Sequence, residues 1–252
     1  LAQGVGGARR LDRDGDDCRP ARGVDEAAVL IPAFGPGDAE AVLRRPDDAR
    51  HIDGDLLLAD RSQVRLNSRS ALDIEFDGQQ RLLRLYSGEI MVQTAADAAG
   101  RPFLVQTPEG SIRALGTRFS VHSEGGLSRV SVLEHAVEVR PADQPGQVLR
   151  LDSGQSVSFD SRRLGVASNA APGTGAWTQG MLTVIEWRLA DFISELRRYR
   201  PGVLRCATAV RDLRISGAFR LDDTETVLEN LSKSLPVKVN YLTRFWASIE
   251  PA

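Results

Sequence analysis

Between residues 51 and 165, apolar and polar side chains alternate with a period of two, which is typical of half-buried strands. Leu72, Ile74 and Phe76 alternate with acidic residues, and Asp77-Gly78 then gives a strong hairpin signal. Similar runs follow at short intervals, separated by turn sequences, at 81–86, 89–94, 103–107, 111–115, 117–122, 127–133, 136–140, 148–151 and 155–159. Short strands at this even spacing predict an all-β sandwich, barrel or solenoid.

After residue 176 the period changes. Leu189, Phe192, Ile193 and Leu196 are spaced as one apolar face of a helix, which Pro201-Gly202 is expected to end. Strand-like runs follow at 203–208 and 213–219, then a second helical run, then strand-like runs at 237–241 and 244–249. With a strand-like opening before the first helix, the order predicts a small βαββαβ module of the α+β class, followed by the strand-like run at 244–249.

The start of the second helix has a sequence signal of its own. Asp222 and Glu225 are three residues apart, as in a capping box, and Val227, Leu228 and Leu231 then lie on one face. We therefore expect this helix to begin close to Asp222.

The chain divides into four segments on these patterns. Residues 1–50 are crowded with Gly, Pro, Asp and Arg and are expected to be poorly structured, apart from a short helix considered over 38–44. Residues 51–165 form the predicted β-domain, and 166–176 a linker rich in Ala, Gly and Pro. Residues 177–252 form the α+β module. The predicted fold class is therefore mainly β, a β-sandwich or solenoid-like domain followed by a small βαββαβ domain.

Composition narrows the choice of partners. The 252 residues carry a net charge of -2, which gives no electrostatic case for nucleic acid or an anionic membrane. No stretch reaches the ~18 consecutive apolar residues of a membrane-spanning helix. Two cysteines are too few for a disulfide framework.

The side chains that usually carry catalysis are scattered. The histidines His51, His122 and His135 are neither spaced i, i+4 on a helix nor adjacent to a cysteine. No phosphate-binding loop or nucleophile elbow is present, and Asp73 and Glu75 alternate outward on a strand. We therefore expect no enzyme, no catalytic residue, no cofactor, no metal and no small-molecule substrate.

Several ordered motifs are similar to those of the FecR family of anti-sigma regulators. They are L-A-D-R-S-Q-V-R-L-N at 58–67, L-Y-S-G-E at 85–89, P-F-L-V at 102–105, R-A-L-G-T-R-F-S-V at 113–121 and, in the module, R-Y at 198–199 and S-G-A-F at 216–219. Arg61 stands where the family has a glycine, a replacement that carries no strain if that turn needs no positive φ. The resemblance covers roughly residues 52–252.

The resemblance implies a regulator that works by binding. Such proteins are anchored in the inner membrane by one helix, and a cytoplasmic domain holds an extracytoplasmic-function sigma factor. Neither that helix nor that domain is recognisable in residues 1–50. The periplasmic part joins a β-domain to a module like the short N-terminal domain of secretins and TonB-dependent receptors. It receives a signal from the signalling domain of a siderophore receptor of the outer membrane.

A partner surface can be suggested within the module. The strand at 237–241 and its neighbours offer an edge to which another strand could be added, with aromatic and charged side chains beside it. The predicted partner-binding residues are Val237, Val239, Tyr241, Arg244 and Trp246.

One alternative is a non-catalytic β-domain that binds carbohydrate or cell wall, which would require aromatic side chains on an exposed β face. The aromatic residues of the β-domain are all placed as though they point inward. They are Phe76, Tyr86, Phe103, Phe119 and Phe159.

Overall fold

The computed structural model describes residues 41–43 and 54–252. Ala41–Leu43 form strand β1, which pairs with the strand Ala71–Phe76, so the short helix considered there is wrong. The other residues expected to be poorly structured lie outside the described ranges.

The β-region, residues 54–169, confirms the mainly β prediction. Its strands are β2 Gly54–Leu57, β3 Gln63–Leu66, β4 Ala71–Phe76, β5 Arg81–Gln93, β6 Phe103–Thr107, β7 Gly110–Ala114, β8 Arg118–Glu124, β9 Leu127–Glu134, β10 Ala136–Pro141, β11 Leu149–Asp152, β12 Gln155–Phe159 and β13 Ser168–Asn169. They form one curled sheet folded into two layers. Layer A runs β1-β4-β5-β6-β7-β10-β11, and layer B runs β2-β3-β5-β8-β9-β12-β13.

Strand β5 belongs to both layers. Its first half pairs with β4 and β6, and its second half pairs with β3 and β8. The turn expected between the runs 81–86 and 89–94, at Ser87-Gly88, is therefore a bend within a single strand. Gly88 has φ 94°, and a Cβ there would lie 2.3 Å from the Ser70 Oγ, so both the conformation and the close approach require glycine.

The space between the layers is filled by the inward-facing apolar side chains of the alternating pattern. Phe103, Phe119 and Phe159 are buried there, while Phe76 is half-buried at the margin. Tyr86, in contrast, is 50% exposed, so the expectation that it points inward is wrong. Its neighbour Leu85 occupies the core, and the period of two then turns Tyr86 outward.

The outer face of layer B is covered, which the sequence pattern does not indicate. Met91 points outward from β5 yet is buried, and a Cβ on Gly175 would lie 2.7 Å from its methyl group. Ser131 and Ser156, on neighbouring strands of the same face, are also buried, and the Ser131 hydroxyl donates to the Ser156 hydroxyl at 2.9 Å. The segment after the β-region therefore packs against this face.

The strands and helices of the module lie within residues 181–252 and follow the predicted βαββαβ order, with one further strand at the end. These elements are β14 Met181–Arg188, α1 Leu189–Leu196, β15 Val203–Cys206, β16 Arg214–Arg220, α2 Thr224–Ser234, β17 Val237–Thr243 and β18 Trp246–Pro251. β14 pairs with β16, and a second sheet has the order β15-β18-β17. The two helices and both sheets enclose a second apolar core, which includes Phe192, Leu228 and Ile249.

The two helices begin in different ways. α1 has no side-chain cap; instead, the backbone N–H groups of Leu189 and Ala190 donate to the carbonyls of Leu213 and Arg211. α2 is capped by Asp223, whose carboxylate accepts from the Thr226 N–H at 3.1 Å. The predicted cap at Asp222 is therefore wrong by one residue, and Asp222 forms an ion pair with Arg220 instead.

No helix in the described ranges combines the length and the apolar character needed to cross a membrane.

Candidate partner-binding surface

The hairpin of β17 and β18 ends in a tip, residues 241–246, that lies at the border of the second sheet. β17 pairs only with β18 among the described strands, so its outer edge offers free backbone donors and acceptors. Such an edge can accept an added strand from another protein.

The structure separates the five predicted residues into two groups. Val237 is buried and Val239 is half-buried, and both pack into the second core. Tyr241 is 47% exposed, Arg244 is exposed, and Trp246 is half-buried at the tip. Three of the five side chains are therefore presented on the surface, and the two valines fix the strand that presents them.

Further apolar side chains at the tip were not predicted. Leu242 is 74% exposed and Phe245 is 44% exposed, and Val203 on the neighbouring β15 is exposed beside them. The available signal was the pair of large apolar residues placed in the turn between two strands, where polar residues are usual. An apolar cluster on an exposed turn is typical of a binding site.

Arginines accompany the aromatic rings of the tip. The Arg244 guanidinium carbon lies 4.5 Å from the ring centre of Phe245, and that of Arg205 lies 5.6 Å from Trp246. These cation–π distances hold the rings and the positive charges together. The tip therefore combines exposed apolar side chains with the guanidinium groups of Arg205 and Arg244.

Arg200 supports the tip from below. Its side chain is almost completely buried, it donates from Nη2 to the Arg244 carbonyl at 3.0 Å, and it approaches the Glu225 carboxylate at 3.6 Å. Its guanidinium carbon lies 5.8 Å from the ring of Tyr241, while Nη1 is buried without an acceptor among the described residues. Partial burial raises the pKa of Tyr241, so its hydroxyl keeps its proton and can donate.

This arrangement suits binding. Nowhere in residues 41–43 and 54–252 do three or more His, Cys, Asp or Glu side chains gather as a metal ion would need. An edge strand, exposed rings and paired arginines are the features that hold another protein.

The motif residues of the β-region have structural roles. The Asp60 carboxylate and the Arg81 guanidinium form a buried ion pair at 2.7 Å, and Arg81 also donates to the carbonyls of Ala95 and Arg101. Arg61 beside it has φ 68°, so this turn does place a non-glycine residue at a positive φ.

A second set of motif residues faces the module. The Asn67 amide donates to the Glu89 carboxylate at 2.7 Å, and Ser120 donates to the same carboxylate at 2.9 Å. The Tyr199 hydroxyl of the module donates to the Asn67 Oδ1 at 2.7 Å. These motif positions therefore lie where the β-region meets the module.

Comparison with known proteins agrees with the motifs and the fold. The family model described as FecR protein matches residues 53–138. Two crystal structures of a candidate anti-sigma factor from Parabacteroides distasonis ATCC 8503, at 2.50 and 1.65 Å resolution, share the fold, with TM-scores of 0.65 and 0.64. Each is 24% identical to this chain in sequence, and each match covers 79% of this chain. The matches cover 93% and 94% of the two solved chains. No curated protein matches the chain. The resemblance to the FecR family that the motifs indicate is therefore confirmed over residues 53–138.

Proposed function

We propose that this chain is the signal-receiving part of an anti-sigma regulator, and that its hairpin tip and strand β17 bind the signalling domain of a TonB-dependent outer-membrane receptor. Binding, with no bond-making step, transmits the signal. In this proposal the described residues lie in the periplasm of a regulator anchored in the inner membrane. An extracytoplasmic-function sigma factor is controlled through a different region from residues 54–252.

The FecR match and the fold shared with a candidate anti-sigma factor support the regulatory role. The observation that carries the partner assignment is the unpaired edge of β17 beside an exposed cluster of aromatic and arginine side chains. An added strand would supply the missing main-chain partners, and the exposed ring of Tyr241 would become buried on binding. Arg205 and Arg244 would face acidic side chains of the partner.

The proposal predicts that Tyr241→Ala weakens partner binding by about tenfold or more, because a buried aromatic anchor is the commonest hot spot of an interface. Binding is measured by isothermal titration calorimetry, with the full chain against purified signalling domains of the TonB-dependent receptors encoded in the same genome. Wild-type binding to one of these domains is the expected starting point.

Tyr86→Ala is the matched control, because Tyr86 is 50% exposed but lies on the β-region. Its affinity for the partner should equal that of the wild type. Loss of binding in the Tyr86 variant with no change in the Tyr241 variant would place the interface on the β-region. No binding of any of these domains to the wild type would remove the receptor from the proposal.

A carbohydrate-binding role gains one observation from the structure, which is the outward position of Tyr86. However, the Tyr86 hydroxyl already donates to the Asp73 carboxylate at 2.7 Å, and charged pairs such as Arg84–Glu75 flank the ring. Co-sedimentation with insoluble cell wall tests this role: it requires wild-type binding that Tyr86→Ala abolishes.

A further inference from the structure

Three consecutive residues of the module, Arg198, Tyr199 and Arg200, make contacts in two directions. We name them the coupling segment. Arg198 is 8% exposed, and it donates from Nη2 to the Ser68 carbonyl of the β-region at 2.9 Å. Its Nη1 lies 3.0 Å from Nε2 of His122, on the outer face of layer B. Arg198 therefore joins the module both to the turn between β3 and β4 and to strand β8.

Tyr199 makes the second attachment. Its hydroxyl donates to the Asn67 Oδ1, and the Asn67 amide donates in turn to the Glu89 carboxylate. Glu195, one helical turn earlier, lies 3.8 Å from the Arg198 guanidinium. The attachment is therefore a connected polar network, whose members depend on one another for their orientation.

Arg200 faces the opposite way, toward the hairpin tip. Its contacts with the Arg244 carbonyl and the Tyr241 ring place it directly under the proposed partner surface. A displacement of the tip would therefore move Arg200. Arg198 and Tyr199 directly precede Arg200, so they lie on the same short stretch of backbone.

The coupling segment meets the β-region through polar groups, and a cavity of about 160 Å³ lies beside these contacts, lined by Asn67, Ser68, Trp177 and Tyr199 among others. Interfaces of this kind within a chain permit relative movement more readily than a packed apolar core.

We propose that the coupling segment transmits partner binding from the hairpin tip to the β-region: it holds the module on Asn67, Ser68 and His122, and it shifts when the tip is engaged. This inference rests on the proposed function only for the identity of the tip as the partner site. The coupling itself is a property of the chain alone, so it can be tested without a partner.

His122 is a natural reporter of the attachment. To accept from Arg198, its Nε2 must be unprotonated, whereas a protonated Nε2 would instead favour Glu124, whose carboxylate lies 3.4 Å away. The charged groups that face His122 are Glu89, Glu124, Arg129 and Arg198, with Glu195 beyond Arg198. Burial lowers the pKa of His122 below its ordinary value of 6.5, and Arg198 and Arg129 act in the same direction, while the two glutamates oppose them.

The sign of the pH dependence follows from that direction. Above pH 6.5 the histidine is neutral whether or not the module is attached, so the attachment has its full strength. As the pH falls below 6.5, the detached form takes up the proton more readily, and the attachment weakens. The pKa of His122 should therefore rise toward 6.5 whenever the module is loosened.

The experiment is an NMR titration of the imidazole signals of the full chain, which has three histidines, with His122→Gln to assign the signal. Arg198→Gln should raise the pKa of His122 toward 6.5, and Arg198→Lys, which keeps the charge but not the paired donors, should raise it less. Arg197→Gln is the matched control, since Arg197 is exposed, and it should leave the titration unchanged.

The decisive variant is Tyr241→Leu, which changes only the tip. If the coupling segment links the hairpin tip to the attachment at His122, the proton affinity of His122 should rise by about twofold or more. That figure is the lower end of the interaction energies measured between residues of one network. Leu242→Ala, an adjacent exposed substitution, should have no effect. A His122 titration that responds to Arg198→Gln but not to Tyr241→Leu would overturn the coupling. It would leave the proposed receptor binding untouched, because that is measured separately by calorimetry.

Discussion

Replacing Arg81 with methionine is expected to lower the free energy of unfolding of the β-region by about 3–5 kcal/mol. Arg81 and Asp60 are 8% and 3% exposed at their side chains, and their ion pair spans 2.7 Å. The substitution leaves the Asp60 carboxylate buried with only Ser62 to donate to it, and the carbonyls of Ala95 and Arg101 lose their donors. An unpaired buried charge is among the most destabilising changes a protein can carry.

Arg84→Met on the same strand is the matched control. Arg84 pairs with Glu75, but both side chains are more than a third exposed, so its loss should cost no more than about 1 kcal/mol. Urea unfolding followed by far-ultraviolet circular dichroism reports on the strands of the β-region. Similar costs for the two substitutions would show that the Asp60–Arg81 pair contributes no more than a surface pair.

The second large effect is expected at Gly202, which precedes β15. Its φ is 92°, and a Cβ there would lie 2.0 Å from the carbonyl oxygen of Phe245. Gly202→Ala should therefore destabilise the module by about 2–4 kcal/mol, from the backbone conformation and the overlap together. The substitution would also disrupt the 2.7 Å hydrogen bond that the Val203 N–H donates to the same carbonyl. Because Phe245 belongs to the tip, the tip would be displaced as well.

Tryptophan fluorescence during urea unfolding measures this change, because all three tryptophans lie at 177 or later in the chain. Gly180→Ala separates the cost of the backbone conformation from the cost of the steric overlap. Gly180 has φ 71° with nothing within 4 Å of the added Cβ, so only the conformational cost of about 1–2 kcal/mol remains. If the two alanine variants were equally stable, the overlap at Phe245 would contribute nothing.

Much of the β-region could be predicted because a strand with one face in the core has apolar and polar residues in alternation. The prediction failed at positions where the same residues are compatible with two different local structures. Ser87-Gly88 reads as a turn, but the same glycine permits a bend, and the choice depends on Ser70 from another strand. The cap of α2 shifted by one residue for a similar reason, since Asp222 and Asp223 are both suitable and Arg220 engages the first.

The candidate surface was predictable as a strand with aromatic and charged neighbours, but not side chain by side chain. Val237 and Tyr241 have the same parity on β17, yet one is buried and the other exposed, because the second core covers the start of the strand and leaves the tip free. The support from Arg200 joins residues 44 positions apart. No local pattern in the sequence encodes a contact over that separation.

The shared strand β5 has a consequence for how the chain is made. Since this strand is the seam of both layers, it is fully paired only after β3, β4, β6 and β8 have all left the ribosome. A chain interrupted before β8 would leave the seam with an open border, which invites aggregation. Half of the sandwich therefore cannot serve as a folded intermediate, and an exchange of segments between related genes would have to move both layers together.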